Sequence, residues 1–271
     1  MRVKEAISLA TKELRPIVER PRLEAEILLS HLLNCKREFL ILNDNLEINE
    51  QAFKELIERR AKLEPIEYIT NRVSFWDFEL FIKKGALIPR PESELLVELA
   101  IELIQKHNIK SVAEIGIGSG ALSIAIAKEC SVNIEASDIS KDAIEIANKN
   151  IKSFNLETRV KVKECSLLDS LDTPQLLISN PPYIDKEFKL EKNVVDYEPH
   201  TALFAPNRGL EILFNILDLV KSKNIPYTIC EMGYDQKEAI TEYVKKIGLD
   251  GTLEFYKDLA GHDRGFVLVK N

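Results

Sequence analysis

From Ser111 onward the sequence alternates short apolar runs with longer amphipathic ones, and this alternation constrains the fold more than any other feature. The runs SVAEIG, NIEASD, RVKVKEC, LLISN and YTICEM have the length and β-forming content of strands. The stretches ALSIAIAKE, KDAIEIANKNIKSF and GLEILFNILDLVKS have helical spacing. Such an alternation predicts a parallel sheet covered on both faces, and right-handed crossovers make it doubly wound. Asp235, with Glu238 three residues on, reads as a capping box that opens a further helix, and Gly248 as its stop. Two late runs, TLEFYKD and GFVLVK, the second after a turn at Gly261 to Gly265, predict one antiparallel addition at the sheet edge.

Residues 1–70 read as a separate, all-helical module. Pro16 and Pro21 punctuate it, and Leu23, Ile27, Leu28, Leu32 and Leu33 recur at helical spacing. Asn49 is placed as an N-cap, with Ile48 and Phe53 as a hydrophobic staple. Residues 71–88 change character: Val73, Phe75, Phe78, Leu80 and Ile82 are β-formers around a turn at Trp76-Asp77, which predicts a hairpin linker. Ile88-Pro89-Arg90-Pro91 then breaks the chain, and the α/β domain spans residues 89–271. Ser93 is placed as the cap of a helix that buries Leu95, Leu96, Leu99, Leu103 and Ile104.

The formal net charge of -7 argues against DNA or RNA as the main substrate, because nucleic-acid binders carry a basic face. Cys35, Cys130, Cys165 and Cys230 form no C-x-x-C pair and the histidines are scattered, so no metal site is expected. Charges interrupt the N-terminal apolar stretch, so it does not read as a signal peptide. No long uncharged apolar run is present either, which makes the cytoplasm the expected location and a membrane an unexpected partner.

Glu114-Ile115-Gly116-Ile117-Gly118-Ser119-Gly120 sits where the first strand of the α/β domain gives way to a helix. Glycines there permit a tight turn and a close ligand approach, and the helix N-terminus adds oriented N–H groups. Such a loop alone fits dinucleotide binders, nucleoside binders and a plain tight turn alike. Asp138 ends the next strand, where a carboxylate can accept hydrogen bonds from both ribose hydroxyls or can cap a helix. Together the two features predict an adenosine-type ligand, and the G-x-G-x-G spacing tilts toward S-adenosylmethionine.

Leu176-Leu177-Ile178-Ser179-Asn180-Pro181-Pro182-Tyr183 carries the reaction chemistry. Pro181 and Pro182 have carbonyls but no N–H. Asn180 Oδ1 and the Pro181 carbonyl can hold both hydrogens of one NH2 group, and Tyr183 can stack on the flat group attached to it. Two acceptors on a planar nitrogen favour its pyramidal form and stabilise the positive charge that grows during alkylation. The spacing alone points to methylation of a planar NH2 group and no further.

These segments resemble the class I methyltransferases that act on planar NH2 groups, among them the adenine-N6 enzymes and the HemK/PrmC protein-glutamine methyltransferases. The chain is similar to the second branch over nearly its full length. Leu87-Ile88-Pro89-Arg90-Pro91-Glu92-Ser93-Glu94 resembles that family's I-P-R-P-E-T-E segment, and Pro65-Ile66-Glu67-Tyr68-Ile69, Glu198-Pro199-His200-Thr201-Ala202-Leu203-Phe204 and Asp258-Leu259-Ala260-Gly261-His262-Asp263-Arg264 also match. The resemblance implies a Rossmann-like, seven-stranded α/β catalytic domain behind a small helical substrate-binding domain. It implies methyl transfer from S-adenosylmethionine to the N5 amide of the glutamine in the Gly-Gly-Gln motif of class 1 peptide chain release factors, by a monomer that needs no nucleic acid. A ribosomal-protein glutamine methyltransferase is the nearer rival and an adenine-N6 methyltransferase the more distant one.

By the same resemblance Asn180, Pro181 and Tyr183 are catalytic, and Asn180, Pro181, Pro182 and Tyr183 bind the substrate amide. Glu114, Gly116, Ile117, Gly118, Ser119, Gly120, Asp138, Leu167 and Asn180 bind the cofactor. The chain departs from the family pattern in three places. Glu114 stands where Asp is usual, Ser93 replaces Thr, and Ser166-Leu167 occupies a stretch where Asp and an aromatic are common, so that Leu167 offers the adenine an apolar surface instead of a ring. Arg90 and Glu92 read either as site residues or as a helix start, and Glu198 and His200 either as the substrate mouth or as loop anchors. Arg264 is expected to fix the C-terminal edge strand, and Trp76 to pack in the core or hinge.

Overall fold

The computed structural model describes residues 1–270. Five helices come first: α1 (Val3–Leu14), α2 (Pro21–Leu33), α3 (Arg37–Leu42), α4 (Glu50–Ala61) and α5 (Ile66–Thr70). Strands β1 (Arg72–Phe75) and β2 (Phe78–Phe81) form a two-stranded sheet across the Trp76-Asp77 turn. Then follow α6 (Glu94–His107), β3 (Ser111–Ile115), α7 (Ala121–Glu129), β4 (Asn133–Asp138), α8 (Lys141–Ser153), β5 (Val160–Glu164), β6 (Leu176–Ser179), β7 (Ile184–Asp185), α9 (Lys192–Val195), α10 (His200–Leu203) and β8 (Phe204–Ala205). The chain continues through α11 (Glu211–Lys223), β9 (Tyr227–Glu231), α12 (Lys237–Ile247), β10 (Thr252–Lys257) and β11 (Asp263–Val269). No helix among the described residues is long and apolar enough to cross a membrane.

Contacts divide the chain into two compact units. One comprises Met1–Arg72 together with Leu190–Tyr197; the other comprises Val73–Lys189 and continues from Glu198. In the helical unit, Val3, Leu14, Leu28, Leu29, Leu40, Phe53, Ile57 and Ile69 share one core. Asn49 caps α4 by accepting the Ala52 N–H at 3.1 Å, and Ile48 and Phe53 are buried beside it. The return of residues 190–197 to this unit was not foreseen from sequence. There the Tyr197 hydroxyl donates to the Lys62 carbonyl at 2.8 Å.

The second unit is built on a seven-stranded sheet of order β10-β11-β9-β6-β3-β4-β5. Strands β9, β6, β3, β4 and β5 run parallel, and β11 is antiparallel to both of its neighbours. The antiparallel strand therefore lies one place in from the edge, between β9 and β10, and not at the edge as expected. Its fully buried Phe266 and Leu268 explain this: they belong to the core packed against α11 and α12, and an edge position would leave them half covered. The central strands β3 and β6 are almost wholly buried, as befits strands covered on both faces. The strand order reverses between them, because β3, β4 and β5 build outward on one side while β6 and β9 lie on the other. In open α/β sheets ligands bind at that reversal, outside the carboxyl ends of the strands.

Two helices differ from the sequence reading, one in its buried stripe and one in its start. The buried stripe of α6 is Leu96, Val97, Ala100 and Ile104, while Leu95, Leu99 and Leu103 are only half-buried. Gln236, not Asp235, precedes α12, and no side chain caps that helix. The Gln236 amide is used elsewhere: it accepts the Gly233 N–H and donates to the Tyr183 and Arg208 carbonyls. Gly248 ends the helix as expected, at φ 61°.

Candidate active site

The glycine loop joins β3 to α7. Gly116 and Gly120 take φ values of 76° and 87°, in the left-handed region that favours glycine. A Cβ on Gly120 would lie 3.3 Å from Ile124 Cδ1 and 3.6 Å from Ala147 Cα, so glycine lets α8 pack directly over the start of α7. The loop is tied on both sides. Asp138, at the end of β4, accepts the Gly118 N–H at 3.0 Å through Oδ2 and the Ser140 N–H at 2.9 Å through Oδ1. Asn150, buried in α8, donates to the Ser119 carbonyl at 2.8 Å and pairs with both the N–H and the carbonyl of Phe81.

These elements wall a cavity of ≈ 320 Å³. Of the residues singled out from sequence, Glu114, Gly116, Ile117, Gly118, Ser119, Asp138, Leu167, Asn180 and Pro182 line it. Gly120, Pro181 and Tyr183 do not. Gly120 serves packing, Pro181 is buried, and the Tyr183 ring packs against the main core with its hydroxyl on Glu231. Ser93, Leu122 and Ile139 also line the cavity and were not assigned to it from sequence. Ile139 follows Asp138 and is 65% exposed, an unusual setting for a large apolar side chain, and that exposure beside an acidic strand end is the signal that was available. Leu167 adopts φ 47°, uncommon for a branched side chain, and its carbonyl accepts the Ser137 hydroxyl at 2.6 Å.

Glu114 is buried beneath the loop, where its Oε2 accepts both the N–H and the hydroxyl of Ser123. Burial raises its pKa to about 8, against the pull of the Ser123 bonds, and the nearby Asp138 charge adds to the rise.

Asn180 leaves the end of β6, held in place by the Ser179 hydroxyl on the Ile115 carbonyl at 2.8 Å. Its Nδ2 donates to Ser93 Oγ at 3.0 Å, and Ser93 Oγ donates to Glu231 Oε2 at 2.5 Å. The expected capping role of Ser93 is not seen: it precedes α6, but its hydroxyl makes these two contacts instead. Tyr183 donates to Glu231 Oε1 at 3.2 Å. Burial, followed by the neighbouring Glu231 charge, pushes the Tyr183 phenol well up, so it stays a neutral donor. Arg264 holds Asp258 through two hydrogen bonds, of 3.1 and 2.6 Å, and its charge reaches Tyr183 and Glu231. Glu198 is buried, accepts the Ile88 N–H at 3.0 Å and pairs with Arg90 at 2.5 Å, so these two residues anchor one loop to another.

Residues 5–70 match the family described as PrmC N-terminal domain, and residues 92–197 match Methyltransferase small domain. The release factor glutamine methyltransferase of Clostridium acetobutylicum is 36% identical over 283 residues, covering 100% of this chain and 99% of that one. The enzyme of the same name from Dictyoglomus turgidum is 36% identical over 93% of this chain and 92% of its own. The bifunctional methyltransferase of Rickettsia conorii is 33% identical over 97% of this chain, which spans 56% of that longer protein. Among solved structures, the N-terminal domain of human METTL16 in complex with SAH matches with a TM-score of 0.56 at 17% identity, over 89% of this chain and 92% of that one. That likeness bears on the fold: a seven-stranded class I methyltransferase domain. On the strength of full-length identity to its bacterial relatives, this chain belongs to the release factor glutamine methyltransferase family.

Proposed function

We propose that this chain methylates the N5 amide of the glutamine in the Gly-Gly-Gln motif of class 1 release factors, with S-adenosylmethionine as donor. The observation that carries the reading is the placing of Asn180 on the wall of the same cavity as the glycine loop and Asp138. The donor fits what the cavity offers. Each Asp138 oxygen accepts one backbone N–H and keeps a further lone pair for a ribose hydroxyl. Leu167 and Ile139 supply apolar faces for a purine, and Gly116 to Ser119 allow close approach of the amino-acid end. Glu114 stands beneath that loop. When bound, S-adenosylmethionine supplies an electrophilic methyl group on its sulfonium sulfur.

An amide nitrogen is a poor nucleophile because its lone pair is delocalised. Asn180 Oδ1 accepts no protein donor among the described residues, and Pro181 offers a carbonyl with no competing N–H. Asn180 Oδ1 on the cavity wall holds one hydrogen of the glutamine amide, and the carbonyl of Pro181, a buried residue between the lining residues Asn180 and Pro182, is proposed to hold the other. The two acceptors favour a pyramidal nitrogen and stabilise its growing positive charge. The rest of the rate comes from alignment, since reacting atoms held in line need no further entropy loss. The proton leaves after transfer, so no strong base is required. Tyr183 acts by anchoring the loop through Glu231, in place of the stacking role expected from sequence. A net charge of -7 fits a protein acceptor better than a nucleic acid.

The test is peptide mass mapping after the chain, S-adenosylmethionine and a class 1 release factor are mixed. The expected result is a gain of one methyl group on the glutamine of the Gly-Gly-Gln peptide. A release factor of unchanged mass, under conditions in which another glutamine protein is methylated, would overturn the acceptor.

A further inference from the structure

Asn180 is held from behind by residues of two distant segments. Its Nδ2 bonds to Ser93, and Ser93 bonds to Glu231 at the end of β9. Ser93 and Glu231 are 3% and 1% exposed, so water does not compete for these bonds. Glu231 itself does not line the cavity. The two ends of a side-chain amide are nearly the same in shape, so packing cannot choose between oxygen and nitrogen. Hydrogen-bond polarity can. An ionised carboxylate only accepts, and a hydroxyl has one proton. The Ser93 proton is therefore committed to Glu231, and a lone pair of Ser93 is left facing Asn180. Only the N–H end of the amide can meet that lone pair, which turns Oδ1 toward the cavity.

We propose that Glu231, acting through Ser93, is the positioning residue that determines which end of the Asn180 amide faces the methyl acceptor. The inference rests on the acceptor-holding role given to Asn180 above. Its converse is specific. With a proton on Glu231, the carboxyl O–H donates to Ser93, and the Ser93 proton is free to turn to Asn180. The amide then reverses, Oδ1 goes to Ser93, and two N–H donors confront the hydrogens of the substrate amide.

The groups facing Glu231 place this reversal near neutral pH. Burial raises its pKa to about 7, and Glu92, before α6, pushes the same way. Ser93, Tyr183 from the loop after β6 and Arg264 from β11 oppose the rise. Tyr256 from β10 also faces it and stays neutral, its phenol raised by burial. Ser93 donates to one Glu231 oxygen and Tyr183 to the other, whereas a glutamine would set its NH2 group against one of these two donors.

The deciding measurement is the pH dependence of the Asn180 side-chain amide resonances in the full chain, assigned by their loss in Asn180→Ala. They are expected to shift through one inflection at about pH 7. The inflection disappears in Ser93→Ala, returns in Ser93→Thr, and is absent from Glu231→Gln, which preserves the buried shape if the alanine variant does not fold. In turnover, Ser93→Ala lowers kcat about 10²-fold, the cost of a misplaced catalytic contact, a far larger change than that in cofactor Kd. Ser93→Thr restores kcat. Asn180 resonances that still titrate in Ser93→Ala or Glu231→Gln overturn the proposal, and so does a Ser93→Ala enzyme with unaltered kcat. A wild-type chain inactive on release factor would remove the proposed acceptor, while the amide titration would still decide the role of Glu231.

Discussion

Asp138 Oδ2 accepts the Gly118 N–H at 3.0 Å, so the end of one strand fastens the loop that leaves its neighbour. The contact ties the order of the glycine loop to the residue proposed to hold the ribose. Asp138→Ala removes both, together with the 2.9 Å bond to the Ser140 N–H. Hydrogen bonds to a charged group contribute about 1.5–3 kcal/mol each, so cofactor binding is expected to weaken by roughly 10–100-fold. Titration calorimetry measures this, and an unchanged Kd would remove Asp138 from the cofactor site.

Asn180→Ala separates binding from chemistry. The cofactor loop and Asp138 are untouched, so Kd for S-adenosylmethionine changes far less than turnover, although Asn180 shares the cavity wall. Turnover loses one of two acceptors on the developing charge and falls by about 10²–10³-fold. Single-turnover methylation of release factor reads this directly. A variant as fast as wild type would refute the role.

Asn150→Ala is expected to cost about 2–4 kcal/mol of stability, because it strands buried backbone groups. Its amide accepts the Phe81 N–H at 2.8 Å and donates to the Phe81 carbonyl at 2.9 Å and the Ser119 carbonyl at 2.8 Å. The loss appears as a lower urea midpoint. Unaltered unfolding would mean that these groups find other partners.

Glu114 makes stability depend on pH. An unfolded glutamate titrates at about 4.3, whereas burial raises the folded group to about 8. Between those values the folded chain binds more protons than the unfolded one, so stability falls as pH rises through the window and levels off above it. Glu231, raised to about 7, acts in the same direction over a narrower span. Glu114→Gln should leave the thermal midpoint little changed at about pH 5 and raise it by roughly 2–6 °C at about pH 8. Thermal melts at the two pH values check this, and equal shifts at both would show that the carboxyl is ionised throughout.

What could be read from sequence were features whose cause is local. A glycine loop, an acidic strand end and an Asn-Pro-Pro-Tyr break each announce a strand terminus, and the doubly wound sheet places strand termini side by side. Ser93 shows where such reading ends. Its spacing before an apolar run is that of a helix cap, yet its hydroxyl goes to Glu231, 138 residues away in the chain. Asn150 likewise looks like one polar residue in KDAIEIANKNIKSF, and only packing against β2 and the glycine loop gives it three partners. The place of β11 was missed for a related reason. Alternation within a strand tells which face is buried, not which neighbour it pairs with.

The return of Leu190–Tyr197 to the helical unit bears on how the protein is made. The five N-terminal helices emerge from the ribosome first, but the segment that carries the Tyr197 bond to the Lys62 carbonyl is translated much later. The first unit therefore waits, unfinished, while β3 to β6 are synthesised. A fragment cut after Arg72 would lack a piece of its own surface, and the helical unit closes only after β3 to β6 of the other unit have been made.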